Sequence, residues 1–105
     1  MARLPDTTAM IMYEALDYFS NHPQNWIRGT LAKNKNDRPV NVKSKGATHF
    51  CLLGIIGRKY NPYIMDAVGV DFTKATKLEI GILNDGSRNV KQMISKFSRI
   101  LLKHT

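Results

Sequence analysis

The sequence predicts a mainly α-helical α+β fold: one compact domain over residues 1–105, with a small β-hairpin beside the helices. Three observations lead to this prediction: a helical period near the start, a continuously apolar segment in the middle, and a second helical period at the end. A chain of 105 residues is long enough for one domain with a modest hydrophobic core.

The first helical period follows Pro5, a residue that favours the start of a helix, with Asp6 and Thr7 as capping candidates. The Asn21-His22-Pro23 stretch is a stop signal. We therefore expect an amphipathic helix of about 15 residues. Its apolar stripe consists of Ala9, Met12, Ala15, Leu16 and Phe19.

Residues 24–46 combine turn-forming residues with two short candidate strands, 26–32 and 39–42. The intervening Asn34-Lys35-Asn36-Asp37-Arg38 stretch is typical of a turn, because Asn and Asp tolerate left-handed backbone and form local hydrogen bonds. This pattern predicts a hairpin or an ordered loop. So short a pair of strands is stable only when it packs on the helices.

Residues 47–56 are apolar on nearly every side, which is typical of a buried helix. Ala47, Cys51 and Gly54 would share one face of that helix, and their small side chains predict the close approach of another helix. We expect this central helix to end near residues 57–59. A short helix after Asn61-Pro62 and a further segment capped by Asp71 or Thr73 should follow.

The final helical period is the clearest in the chain. Basic and polar residues occupy one arc of the helix, and Asp85 or Ser87 is the expected start signal. The apolar residues fall within an arc of about 120°, at roughly 100° per residue. They are Val90, Met93, Ile94, Phe97, Ile100 and Leu101. We therefore expect a C-terminal amphipathic helix with a basic outer face.

Positive charge is concentrated in two segments. Residues 24–60 contain eight basic residues and one acid, a net charge of +7, and residues 86–105 add five basic residues and no acid. The segments 1–23 and 61–85 each carry a net charge of −2, within a total of +8. Such segregation produces a surface field that attracts polyanions and acidic partners.

Composition excludes several classes of protein. A single cysteine excludes an intramolecular disulfide framework, and three scattered histidines form no recognisable zinc pattern, so we predict no metal and no cofactor. No apolar run approaches the roughly 20 residues of a membrane-spanning helix, and the Met-Ala-Arg-Leu-Pro start lacks the apolar core of a signal peptide. We therefore expect a cytoplasmic protein that does not contact membranes.

Three short motifs occur in a characteristic order: Trp26-x-x-Gly29, Cys51-x-x-Gly54, and Asn84-Asp85 before the last helix. Between about Ala9 and Leu101 the chain resembles a family of small uncharacterised proteins of phages and actinobacteria, a domain of unknown function. Its lysine-rich loop departs from the less basic pattern of that family. The resemblance implies a small phage-encoded protein in a host cytoplasm, and it implies no activity, ligand or catalytic residue.

A thiol-dependent enzyme is one interpretation of His49, Cys51 and the Asn84-Asp85 pair. On a helix, however, residues i and i+2 point about 200° apart, and a thiol among small residues behaves as a small hydrophobe. Asn84-Asp85 is also well explained as a turn and helix cap. The structural interpretation is favoured, and no catalytic residue is predicted.

The basic segments predict a binding protein instead. The leading hypothesis is a small protein that docks on an acidic host protein and inhibits or redirects it, with electrostatic steering of the encounter. The alternative is a nucleic-acid-binding protein whose cations contact phosphates, with Trp26 either stacking on a base or anchoring the hairpin. The sequence does not indicate an oligomeric state. The predicted contact residues are Arg28, Lys33, Lys35, Arg38, Lys43, Lys45, Arg88, Lys91 and Arg99.

Overall fold

A computed structural model describes residues 2–105, and in this range it contains five α-helices and one two-stranded antiparallel sheet. The mainly α-helical α+β fold predicted from the sequence is confirmed. The strands are β1 (Ala32–Asn34) and β2 (Ala47–Phe50), and a 3-10 turn covers Pro23–Asn25. The helices are α1 (Asp6–Asn21), α2 (Leu52–Lys59), α3 (Pro62–Thr76), α4 (Ile80–Asp85) and α5 (Val90–His104).

Helices α1 and α5 form where the amphipathic periods predicted them, and they contact each other. The whole predicted apolar stripe of α1 is buried, and so are Met93, Phe97 and Leu101 of α5. The Phe97 ring lies against Phe72 of α3, with ring centroids 5.8 Å apart. The core therefore forms where one face of each of these helices meets the others.

The central helix is shorter than predicted. Residues 47–50 form strand β2, and α2 begins only at Leu52. Cys51 ends the strand in an extended conformation and caps the helix, because its Sγ accepts a hydrogen bond from the Gly54 backbone N–H at 3.3 Å. The run of apolar residues thus serves two elements, both of which face the core.

The hairpin also differs from the prediction. The turn at 34–38 is confirmed: Asp37 has a φ of 63°, and the Asn34 side chain accepts the backbone N–H groups of Asn36 and Arg38. Of the predicted strand 26–32, only Ala32 belongs to β1, and β1 pairs along its length with β2. The predicted 39–42 strand does not form as a strand, although the Asn34 N–H donates to the Arg38 carbonyl and the Val40 N–H to the Ala32 carbonyl. Pro39 lacks a donor N–H and forms only an isolated bridge with Lys33, whereas β2 offers a longer series of backbone donors and acceptors.

Helix α3 is longer than the predicted short helix and passes through both proposed caps. Asn61 caps its start by accepting the Ile64 backbone N–H at 2.8 Å. Asp71 lies inside α3 and accepts a hydrogen bond from Thr8 at 2.7 Å, while Thr73 donates to the carbonyl of Leu78. The helix ends at Thr76, and the next residue, Lys77, adopts a left-handed φ of 63°. The predicted caps are therefore wrong.

Helix α5 is capped by Asn89, whose side chain accepts the Gln92 backbone N–H at 2.8 Å. Neither expected residue caps it. The Ser87 hydroxyl instead donates to the Leu83 carbonyl at the end of α4, and Asp85 accepts the Gly29 backbone N–H. Over residues 2–105, none of the helices is both long enough and apolar enough to traverse a bilayer.

Candidate functional site

The three short motifs meet around the side chain of Asn84, which is completely buried. Its Oδ1 atom accepts the indole N–H of Trp26 at 2.8 Å and the backbone N–H of Leu52 at 3.1 Å. Its Nδ2 atom donates to the Ile27 carbonyl at 3.1 Å and to Asp85 Oδ1 at 3.2 Å. One amide thus joins the segment before β1 to the start of α2 and the end of α4.

Further contacts complete this motif cluster, which we define as Trp26, Gly29, Cys51, Gly54, Asn84 and Asp85. Gly29 has a φ of 86°, a backbone region that suits glycine, and its N–H donates to Asp85 Oδ1 at 2.9 Å. Next to it, the Arg28 guanidinium donates to the Ser87 carbonyl at 3.1 Å. These bonds hold the connection from Trp26 to Gly29 against the end of α4.

Gly54 allows the chain before β1 to reach α2. A Cβ atom at this position would lie 1.8 Å from the Leu31 carbonyl oxygen, so only glycine fits without a backbone movement. The same oxygen accepts the Cys51 backbone N–H at 3.2 Å. The predicted helical face of Ala47, Cys51 and Gly54 does not form, because Ala47 lies in β2 and Cys51 precedes α2. Gly54 does receive a close neighbour, but that neighbour is the bend before β1 and not a helix.

The motif cluster has the character of a structural site. In the described residues, no buried side-chain nitrogen or oxygen lacks a hydrogen-bond partner, so the buried polar atoms of the cluster are all used within the fold. Trp26 is half-buried with its N–H bound to Asn84, which favours the anchoring interpretation over base stacking. The sequence suggested that Asn84 serves as a turn residue or a helix cap. In the structure its buried side chain instead joins separate segments of the chain through hydrogen bonds.

The chemistry of Cys51 does not favour a thiol nucleophile. Burial is the main cause that raises the pKa of the Cys51 thiol above its ordinary value, so the group stays protonated at neutral pH. Its sulfur already accepts the Gly54 N–H, and His49 lies within hydrogen-bond distance of Thr48 Oγ1, at 2.7 Å. Within residues 2–105, no group of three or more potential metal-ligating side chains comes together.

Three of the nine predicted contact residues are occupied by internal contacts. Arg28 bonds to the Ser87 carbonyl, and Lys33 forms an ion pair with Asp37 at 3.1 Å. The Lys43 ammonium donates to the carbonyls of Arg58 and Tyr60, at 2.8 Å each, and so caps the C-terminal end of α2. These residues add to the positive field, but their side chains help to order the loop.

This division predicts different effects for two neighbouring lysines. Lys43→Glu should lower the free energy of unfolding by about 1–2 kcal/mol, because a carboxylate would face the carbonyls at the end of α2. Lys35→Glu, an exposed position in the turn, should change it by less than about 0.5 kcal/mol. Urea unfolding of the two variants provides the measurement. Equal effects would show that the Lys43 contacts do not stabilise the loop.

The remaining predicted residues are exposed and form two groups. Lys35, Arg38 and Lys45 lie on the loop, and within the described chain their side chains form no hydrogen bond or ion pair. Arg88, Lys91 and Arg99 lie at the start of α5 and along it. In this second group, only Arg99 has a side-chain contact among the residues described, a long one to Ser95 at 3.4 Å.

The outer side of α5 forms a shallow concave surface of about 600 Å³. Its cations are Lys91, Lys96, Arg99 and Lys103, which we call the α5 basic face. Lys96 and Lys103 were absent from the predicted contact residues, although they lie on the polar arc of the helix. No acid occurs in residues 86–105 to neutralise this face.

A second concave surface was not predicted from the sequence. Helices α3 and α4 border a groove of about 1160 Å³, which we call the α3–α4 groove. Its walls include the exposed apolar side chains of Val70 and Ile82, and its charged residues are Asp66, Lys74, Glu79 and Asp85. The net charge of −2 in segment 61–85 is a signal in the sequence for the acidic character of this surface, but not for its concave shape.

No protein-family model, curated protein or solved structure matches this chain. The family resemblance carried by the three motifs therefore stays a prediction. The two surfaces described above are the basis on which function can be inferred.

Proposed function

We propose that this chain is a non-enzymatic binding protein that docks on an acidic surface of another protein through the α5 basic face. The observation that carries the proposal is the row of four cations along α5, with no acid in residues 86–105. Fixed on a helix, these side chains present a spatial pattern that complementary carboxylates can match. The exposed loop cations Lys35, Arg38 and Lys45 strengthen the steering field.

The origin implied by the resemblance extends this proposal. A phage-encoded protein of this kind would act in the host cytoplasm, where its acidic partner would be a host protein that it inhibits or redirects. A small domain with a surface of one charge sign suits that role, because steering accelerates the encounter of the two proteins.

Nucleic acid is the competing ligand, because the same cations could neutralise phosphates. Two observations count against single-stranded nucleic acid, whose bases stack on aromatic rings, whereas phosphate contacts to a duplex need no ring and are tested directly below. The one aromatic residue of α5, Phe97, is buried, so the basic face offers no ring on which a base could stack. The Trp26 ring is half-buried and its N–H is bound to Asn84.

The test compares two double variants that each lower the net charge by four. We expect Lys91→Glu/Arg99→Glu to lose at least about tenfold in partner capture, since like charges would then face the partner's carboxylates. The matched control, Lys74→Glu/Lys77→Glu, carries the same charge change at the C-terminal end of α3, away from the α5 basic face, and should keep binding. The measurement is a pull-down from bacterial lysate with stepwise salt elution, with and without nuclease.

The outcomes separate the alternatives. A defined protein band that survives nuclease, disappears in the α5 variant and persists in the control supports the proposal. Capture that disappears with nuclease would establish nucleic acid as the ligand, and an anisotropy titration with a labelled DNA duplex would then measure it. If both variants lost partner capture equally, the loss would be explained by the change in net charge alone. The α5 basic face would then not be the contact site.

A further inference from the structure

The α3–α4 groove exposes apolar side chains that nothing in the described chain covers. Val70 is 52% exposed and Ile82 is 67% exposed, and both line the groove together with Leu53, Met65 and Ile80. Scattered single apolar residues on a surface are ordinary, but apolar residues gathered in one concavity are typical of a binding site.

Two glycines widen this groove without serving the packing of the chain itself. Gly69 lies within α3 and Gly81 within α4, and a Cβ atom added at either position would meet no atom within 4 Å. Glycine inside a helix costs about 1 kcal/mol relative to alanine. Gly54, by contrast, is required by the contact with Leu31. The open space at Gly69 and Gly81 therefore belongs to the groove.

The charge of the groove is opposite to that of the molecule. Three acids, Asp66, Glu79 and Asp85, and one base, Lys74, line it, in a chain with a net charge of +8. Asp85 is engaged by Gly29 and Asn84, whereas the carboxylates of Asp66 and Glu79 form no hydrogen bond or ion pair within residues 2–105. Carboxylates beside an apolar surface complement a ligand that is apolar and basic together.

We propose that the α3–α4 groove binds an amphipathic helical segment of a partner protein, with apolar side chains in the groove and lysines or arginines toward Asp66 and Glu79. This is the helix-in-groove mode, in which anchors at i, i+3, i+4 and i+7 face the groove. The proposal is independent of the α5 basic face. A protein with both surfaces can join an acidic partner to a basic one.

The probe is a fluorescein-labelled helical peptide of leucine and lysine, with leucines on one face, titrated against the full chain by fluorescence anisotropy near physiological salt. A peptide with glutamate in place of lysine serves as its charge control. We expect the lysine peptide to bind at least about tenfold more tightly than the glutamate peptide. The net charge of the whole chain favours the opposite order, so this result would identify the local acids as the cause.

Variants of the groove locate the site. Val70→Gln/Ile82→Gln, which removes the apolar contacts without changing the charge, should weaken binding of the lysine peptide at least about tenfold. The control Leu102→Gln, at a 73% exposed position on α5, should not. Asp66→Lys/Glu79→Lys should weaken the lysine peptide and strengthen the glutamate peptide. Gly69→Leu should fill the groove and weaken binding while the urea midpoint stays unchanged or rises.

Three results would overturn the proposal. The first is absence of saturable binding of the lysine peptide, and the second is binding that Val70→Gln/Ile82→Gln leaves intact. The third is a dimer in analytical ultracentrifugation that the same variant dissociates, since a second copy of the chain would then occupy the groove. Because these side chains are exposed, the variants should fold, and circular dichroism verifies this for each one.

Discussion

Asn84→Ala should lower the free energy of unfolding by about 3–5 kcal/mol, because it removes the shared partner of three groups from separate segments. The Trp26 indole N–H, the Leu52 backbone N–H and the Ile27 carbonyl all bond to this side chain. The buried Leu52 N–H would lose its hydrogen bond without gaining one from water, and the partly buried Trp26 N–H and Ile27 carbonyl would be only partly compensated by solvent. Urea unfolding followed by circular dichroism and by Trp26 fluorescence measures the loss.

The matched control is Asn89→Ala, which also removes an asparagine side chain but from an exposed helix cap. Loss of an N-cap costs about 1 kcal/mol, so this variant should be clearly more stable than Asn84→Ala. Trp26→Phe should fall between the two, because it deletes only one of the bonds to Asn84. An Asn84→Ala variant as stable as Asn89→Ala would show that the motif cluster does not hold the fold together.

Gly54→Ala, which adds a single methyl group, should lower the free energy of unfolding by more than about 4 kcal/mol. We expect this to be the largest effect of any glycine-to-alanine substitution in the chain. The new Cβ would lie 1.8 Å from the Leu31 carbonyl oxygen and 2.8 Å from its carbonyl carbon. Both atoms belong to the backbone, so the segment before β1 must move away from α2. That movement would also break the bond from the Cys51 N–H to the same carbonyl.

The control for this prediction is the same substitution at Gly69, also inside a helix. Here the added Cβ meets nothing within 4 Å, and alanine should stabilise the protein by about 0.5–1 kcal/mol through its higher helix propensity. Thermal and urea unfolding of both variants test the pair. A Gly54→Ala protein that unfolds like the wild type would refute the close approach of Leu31 to α2.

The sequence predicts best where a local period determines both the element and its buried face. In α1 and α5, apolar residues recur at helical spacing over about four turns, so helix and core face follow together. The segment 47–56 contains no such period. A short apolar run fits a buried strand as well as a buried helix, and the division at Cys51 depends on pairing with β1.

The sequence gives the distribution of charge along the chain, but it only partly predicts which basic side chains are free at the surface. The concentration of cations in residues 24–60 is evident from the sequence, but the carbonyls that Arg28 and Lys43 contact are brought near only by the folded chain. The Lys33–Asp37 ion pair, in contrast, joins residues four apart across the local turn. Leu53, which lies within the predicted buried helix 47–56, is only partly buried and packs against the core from its edge. The structure places Leu52 in the core and Leu53 in the wall of the α3–α4 groove.

By itself, then, the sequence determined the mainly α-helical α+β class, the two amphipathic helices, the turn at 34–38 and the segregation of charge. Each of these depends on side chains that are near one another along the chain. The tertiary structure alone decided the pairing of β1 with β2, the role of Asn84 and the groove between α3 and α4. Trp26 and Asn84 lie 58 residues apart, and no local preference encodes a hydrogen bond over that separation.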